Sequence, residues 1–145
     1  MRLVIQRVQR ACAHLPSQEK REISRGLLLL LGIAPSDTEE VCQKMAEKAA
    51  RLRLFPDAEG KFDLSLLDVS GQALVVSQFT LYGNCQKGRR PDFTQAAPPE
   101  KAKPLYESFV RNLKKLGLAV QTGEFGAAME VELTNDGPVT MILDS

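Results

Sequence analysis

Gly26-Leu27-Leu28-Leu29-Leu30-Leu31-Gly32-Ile33 is wholly apolar and bounded by glycine. A run this short with glycine at its ends reads as a strand buried on both faces rather than a helix. Upstream, Leu3, Ile5 and Val8 alternate with polar residues and read as a first strand, while residues 11–25 read as a return strand broken by a turn at Pro16-Ser17, giving a hairpin. Downstream, Pro35-Ser36-Asp37 ends the leucine strand, and Ser36 with Glu39 resembles a capping box. Val41, Met45, Ala49 and Leu52 then recur at helical spacing and predict a helix over 37–52.

Turn chemistry at residues 55–61 and 68–72 precedes an apolar strand over 73–81, and a polar, basic loop follows from 83 to 99. Ala102, Leu105, Phe109, Leu113 and Leu116 predict a second helix over 101–116, with Pro104 in its first turns and Gly117 closing it. The tail offers a short strand at 119–121. It ends in alternating Met129, Val131 and Leu133, the turn Asn135-Asp136-Gly137-Pro138, and alternating Val139, Met141 and Leu143. Two helices among about seven strands give an α+β fold with mostly antiparallel, helix-covered sheets, and 145 residues fit one domain, 1–145.

Composition narrows the function. With 43% hydrophobic and 26% charged residues and a net charge of +1, the chain reads as a soluble globular protein, and at this length one core buries roughly 70% of the unfolded surface. The longest apolar run falls far below the roughly 18 residues of a membrane span, and the first eight residues interleave polar groups where a signal peptide needs an apolar core. A cytoplasmic location with no membrane partner is the expectation. Cys12, Cys42 and Cys85 are scattered without a CxxC pair, so they read as reduced thiols. No phosphate-binding glycine loop is present, and His14 is the only histidine, so no bound metal and no cofactor are expected. A Ser-His or Cys-His mechanism would have to use His14, whose plain reading is a strand or surface residue.

Charge is uneven along the chain: residues 87–115 hold eight basic and three acidic groups, and residues 116–145 hold no basic and five acidic ones. Lys87-Gly88-Arg89-Arg90 is the densest basic stretch, suited to an RNA backbone or simply to a solvated surface. Two segments look odd for scaffolding. Ser77, Gln78 and Thr80 put polar side chains at the end of a strand that otherwise reads as buried, where they must find partners or edge a pocket. Gly137-Pro138 sits inside an alternating pattern, as an ordinary turn or with a cis bond.

Through Ser77-Gln78-Phe79-Thr80-Leu81 and Asn135-Asp136-Gly137-Pro138-Val139-Thr140, the sequence resembles the D-aminoacyl-tRNA deacylases, also called D-tyrosyl-tRNA deacylases. Val4-Ile5-Gln6-Arg7-Val8, Lys87-Gly88-Arg89-Arg90-Pro91 and Gly123-Glu124-Phe125-Gly126-Ala127 fall in family order, so the resemblance spans essentially the whole chain. Asp63 and Gly83 stand where asparagine and alanine are common, and residues 11–25 match least well, with Pro16 where a tighter hairpin is usual.

The resemblance implies a partly barrel-like fold and a homodimer that hydrolyses the ester of D-aminoacyl-tRNA, releasing free tRNA and the D-amino acid. Glycyl-tRNA, including glycine mischarged on an alanine tRNA, would also be a substrate. Such an enzyme is a hydrolase that proofreads translation and takes part in D-amino acid metabolism. By the same resemblance Ser77, Gln78, Phe79 and Thr80 line the catalytic pocket. Gly137 and Pro138, with a cis bond, reach from one subunit into the site of the other and exclude L-amino acids. Arg7 holds that segment, and Phe125 and Met129 surround the terminal adenosine. Two catalytic accounts stay open: the Thr80 hydroxyl as nucleophile, or backbone N–H groups around Phe79 and Thr80 stabilising the oxyanion while the 2′-hydroxyl of the tRNA helps water attack. Rivals are a non-catalytic dimeric RNA-binding protein of the same fold and a general esterase, the latter disfavoured by the lack of a histidine-based triad.

Overall fold

A computed structural model describes residues 1–145. In chain order the elements are β1 (Arg2–His14), β2 (Lys20–Ile23), β3 (Gly26–Gly32), α1 (Glu39–Arg51), β4 (Phe55–Pro56), β5 (Phe62–Leu64), β6 (Gln72–Ser77), α2 (Pro99–Lys115), β7 (Ala119–Thr122) and β8 (Glu130–Asp144). The main sheet runs β2-β1-β3-β6-β7, with β8 on the other edge of β1. Antiparallel pairing joins β1 to β2, β3 and β8, and β4 to β5. The β3–β6 and β6–β7 pairs are parallel, because the chain crosses over through α1 and α2 between those strands. The sheet curls toward closure, and Arg21 of β2 donates from Nη1 to the Thr122 carbonyl of β7 at 3.1 Å.

The leucine run divides its side chains by strand alternation. Leu27, Leu29 and Leu31 join the large core beneath both helices, with Met45, Ala49, Phe109 and Leu113. Leu28 faces the smaller cluster on the opposite side, with Val8, Ile23, Leu74 and Val76. Burial on both faces therefore holds for β3. Gly26 starts it because a Cβ there would stand 1.9 Å from the Gln72 carbonyl oxygen.

Several boundaries differ from the sequence reading. The first strand continues to His14, and the hairpin turn falls at residues 15–19, closed by Leu15 N–H to Glu19 O at 2.9 Å. Register shifts around Val8 let β1 absorb an irregularity without breaking. The N-cap of α1 is Thr38, whose Oγ1 accepts from Val41 N–H at 3.4 Å. Asp37 is buried and turns instead to the Met1 amino group at 2.6 Å and Ala34 N–H at 2.7 Å. Residues 55–64 form the β4–β5 hairpin, whose turn is braced by the Asp57 carboxylate accepting from Glu59 and Lys61 N–H at 2.8 and 2.9 Å. The second helix starts at Pro99, with Pro104 inside it, and ends against Gly117 at φ +87°.

Two corrections bear on the site. The strand expected over 73–81 stops at Ser77, and Phe79–Tyr82 is a short 3-10 helix. Its turn settles onto Gly32, where a Cβ would lie 3.1 Å from Leu81 Cβ and 3.2 Å from the Gln78 carbonyl, so a side chain at the end of β3 would push it away. Asn135-Asp136-Gly137-Pro138 does not reverse the chain. Both flanks of β8 pair with β1, Asn135 opposite Val8 and Thr140 opposite Gln6, so the segment is an outward excursion within one strand.

Candidate active site

The carboxyl ends of the parallel strands β3 and β6 lie side by side, and outside such ends a crevice opens by the geometry of α/β crossovers. A cavity of about 650 Å³ occupies this place. Ser77 and Gln78 edge it where β6 ends, Phe79 and Phe93 form one wall, and Phe125 and Met129 another. The start of α2, through Pro98, Pro99 and Ala102, completes it. The lining is mostly apolar with a few polar groups, the usual character of a small-molecule site.

Phe79 is 55% exposed, and its ring meets Phe93 edge-on with centroids 5.1 Å apart. Thr80 is exposed beside the cavity and does not line it; Gln78 Nε2 donates to Thr80 Oγ1. The first N–H groups of a 3-10 turn have no acceptor inside it, which makes the Phe79 and Thr80 amides free donors by construction. On the far wall, Met129 Sδ accepts from Glu124 N–H at 3.2 Å, fixing the thioether against the Gly123 backbone. The Phe125 ring leans on Tyr106 at 5.7 Å, and the Tyr106 hydroxyl donates to the Val75 carbonyl at 2.9 Å. Burial pushes the Tyr106 phenol up to about 12, opposed in part by its hydrogen bond with Thr122.

Arg7, Gly137 and Pro138 do not line this cavity. Arg7 is buried, and its guanidinium donates from Nε to the Asp136 carbonyl at 2.9 Å and from Nη1 to the Leu54 carbonyl at 2.5 Å. The Phe62 ring covers it at 5.3 Å. At the base of the excursion, Asn135 spans the gap in the ladder: Oδ1 accepts from Val139 N–H at 2.7 Å and Nδ2 donates to the Val139 carbonyl at 3.0 Å. Gly137 has φ +147° and is joined to Pro138 by a cis peptide bond, and both residues are exposed. A Cβ on Gly137 would stand 2.7–2.8 Å from Val139 atoms.

The named residues thus fall into two groups within one chain: Ser77, Gln78, Phe79, Phe125 and Met129 around the cavity with Thr80 at its edge, and Arg7 with Gly137 and Pro138 elsewhere. Sequence reasoning missed Phe93 and the Pro98-Pro99 wall, which lay in a loop read only for its charge. It also missed Phe62, whose packing on Arg7 needs the tertiary fold. Lys87, Arg89 and Arg90 are exposed and form no ion pair, on a loop closed by paired bonds between Asn84 and Asp92. His14 borders another cavity, with Nε2 at 3.3 Å from a Glu132 carboxylate oxygen and without a hydrogen bond. No three His, Cys, Asp or Glu side chains gather as metal ligands, and no helix is long and apolar enough to cross a membrane.

A family model described as D-Tyr-tRNA(Tyr) deacylase matches residues 4–144. A Roseiflexus castenholzii protein named D-aminoacyl-tRNA deacylase is 56% identical over 145 residues, covering 100% of this chain and 92% of that protein. One of the same name from Brevibacillus brevis is 53% identical, with 100% of both chains covered. Among solved structures, the c-Myc DNA Unwinding Element Binding Protein superposes with a TM-score of 0.92 at 42% identity, covering 100% of this chain and 99% of that one. A structure titled as a probable eukaryotic D-amino acid tRNA deacylase has a TM-score of 0.86 at 17% identity, over 99% and 98% of the two chains, and shares the fold.

Proposed function

The chain belongs to the D-Tyr-tRNA(Tyr) deacylase family and is a hydrolase, and from that premise we propose how its residues divide the work on D-aminoacyl-tRNA. The cavity at the ends of β3 and β6 carries the reading: it is apolar enough for an adenine, and Ser77, Gln78 and Phe79 stand at its edge. The terminal adenosine lies between Phe125 and Met129, with the aminoacyl ester directed at the 3-10 turn. The Phe79 and Thr80 amides receive the developing oxyanion, a fixed pair of dipoles in a partly dry site.

Gln78 supports this account over a threonine nucleophile. Its Nε2 already donates to Thr80 Oγ1, and a side-chain amide cannot take a proton from a hydroxyl at neutral pH. The vicinal 2′-hydroxyl of the tRNA is then the nearest group able to orient or activate water. An aminoacyl ester is reactive enough for positioning to carry much of the rate.

Chiral selection is assigned to Gly137 and Pro138 of a second copy. Their exposure, outside their own chain's cavity, supports a trans arrangement, as do the exposed Leu133, Met141 and Ile142 on β8. Carbonyl oxygens of the segment, held near the α-carbon, accept from the substrate ammonium and fill the space of an L side chain. Glycine has nothing to reject, so glycyl-tRNA passes and L-alanyl-tRNA does not. The protein acts in trans, in the cytoplasm, as a homodimeric proofreading enzyme.

The test is deacylation of matched D-tyrosyl-, L-tyrosyl- and glycyl-tRNA against a no-enzyme control, with the mass in solution measured alongside. Cleavage of the D and glycyl forms by a dimer is expected. RNA binding without turnover would replace the enzyme reading, and equal cleavage of the L form would remove the selector.

A further inference from the structure

Beside the cavity lies a second groove, of about 530 Å³, between α2 and the segment that follows β7. Phe125 lines both and forms the wall between them. On the helix side, Lys103, Glu107, Arg111 and Lys114 border the groove at spacings of four, four and three, which places them on one face. They extend over about 16 Å at helical rise. Lys103 and Lys114 form no ion pair, and Arg111 reaches only Glu39, at 3.9 Å. Glu107 and Glu124 share the rim, so three cations face two carboxylates. The floor is Tyr106, Val110 and Gly123, with Thr122 at the end nearest β7.

We infer that this groove is the track by which the single-stranded 3′ end of the RNA leaves the cavity, with Lys103, Arg111 and Lys114 meeting successive phosphates. The inference rests on the reading of the cavity as the adenosine site. An adenosine stacked at Phe125 must continue into a polyanionic strand, and on the far side of that ring the chain presents three exposed cations. The two carboxylates suit a ribose track better than a bare anion site, because they accept from 2′-hydroxyl groups while the cations hold the backbone. The track lies apart from the 87–90 loop, which offers the competing exit.

The dependence of kcat/KM on salt tests it. For single strands the logarithmic slope falls by about 0.7 for each phosphate that a side chain ceases to neutralise. Lys103→Gln and Lys114→Gln are each expected to flatten the slope by that amount, and the double variant by about 1.4, with kcat unchanged at saturation. Hydrolysis of a D-aminoacyl-adenosine, which carries no phosphate, is expected to match wild type in all three. An unchanged slope in the double variant overturns the track, as does an equal loss on the adenosine ester, which would mark a structural effect. If instead Arg89→Gln and Arg90→Gln alone flatten the slope, the strand leaves over the loop. Wild-type protein that cleaves neither substrate would overturn the deacylase reading itself, a result distinct from these.

Discussion

Arg7 Nε donates to the Asp136 carbonyl across 2.9 Å, joining the middle of β1 to the outward segment that presents Gly137 and Pro138. The same guanidinium reaches Leu54 O and lies under Phe62, so one planar cation ties β1, β8 and the β4–β5 hairpin together. A lysine offers a compact charge without the planar fork, and serves one of those carbonyls at the expense of the other. Arg7→Lys is therefore expected to loosen the segment and lower the ratio of D- to L-tyrosyl-tRNA turnover by about tenfold, or about 1.4 kcal/mol. Arg7→Ala removes the side-chain donor from the buried Leu54 carbonyl and the half-buried Asp136 carbonyl and should also cost about 1–3 kcal/mol of stability. An unchanged D-to-L ratio in Arg7→Lys would show that the segment holds its position without the fork.

Thr80 separates the two catalytic accounts. With the amides as oxyanion donors, Thr80→Ala keeps the backbone and loses only a hydroxyl that accepts from Gln78, so kcat is expected to stay within about tenfold of wild type. A tRNA ending in 2′-deoxyadenosine should react far more slowly with both proteins. A loss of about 3 kcal/mol or more in Thr80→Ala, with the 2′-deoxy substrate still cleaved, would make Thr80 the nucleophile.

Gly26 is a packing position with no role in chemistry. Its ideal Cβ meets the Gln72 carbonyl carbon and nitrogen at 2.7 and 2.8 Å as well as the oxygen at 1.9 Å. These are backbone atoms of the neighbouring strand, so Gly26→Ala must spread β3 from β6. A loss of at least about 2 kcal/mol in denaturant unfolding is expected, together with lower activity, since the cavity lies at the far ends of the same two strands. A variant as stable as wild type would mean the pair separates there without cost.

The fold was legible where side-chain alternation and helical spacing act alone. Leu27 to Leu31 announced a doubly buried strand, and the apolar spacing of 41–52 and 102–116 announced the helices. What was hidden depended on a partner distant in the chain. Nothing local distinguishes Ser36 from Thr38 as a cap until Asp37 is drawn to the Met1 amino group. The strand through 73–81 ends early because Gly32, forty-five residues before Ser77 in the sequence, leaves room for the 3-10 turn. The polar residues at 77, 78 and 80 called for partners or a pocket edge from sequence alone: Ser77 and Gln78 line the cavity, whereas Thr80 stands beside it with Gln78 as its partner. Their family resemblance, rather than their spacing, tied them to an ester.

Alkaline pH should destabilise this protein, in part through two acids of the helix-covered core. Burial pushes the Cys42 thiol up to about 11, from an ordinary 9.0, and the Tyr106 phenol up to about 12, from 10.0. Both are acids whose folded value is raised, so the unfolded chain gives up these protons first. Stability is complete below the unfolded values and falls as pH climbs from about 9 toward 12, with Tyr106 contributing at most about 1.4 kcal/mol per pH unit above 10. Melting temperatures measured from pH 8 to 11 are expected to decline over that span. Cys42→Ala should flatten the first part of the decline. Tyr106→Phe should flatten the later part while lowering stability at pH 8 by about 1 kcal/mol, because the Val75 carbonyl loses one of its two donors and keeps only the Gly123 N–H. A decline identical in both variants would place the alkaline transition in groups outside this core.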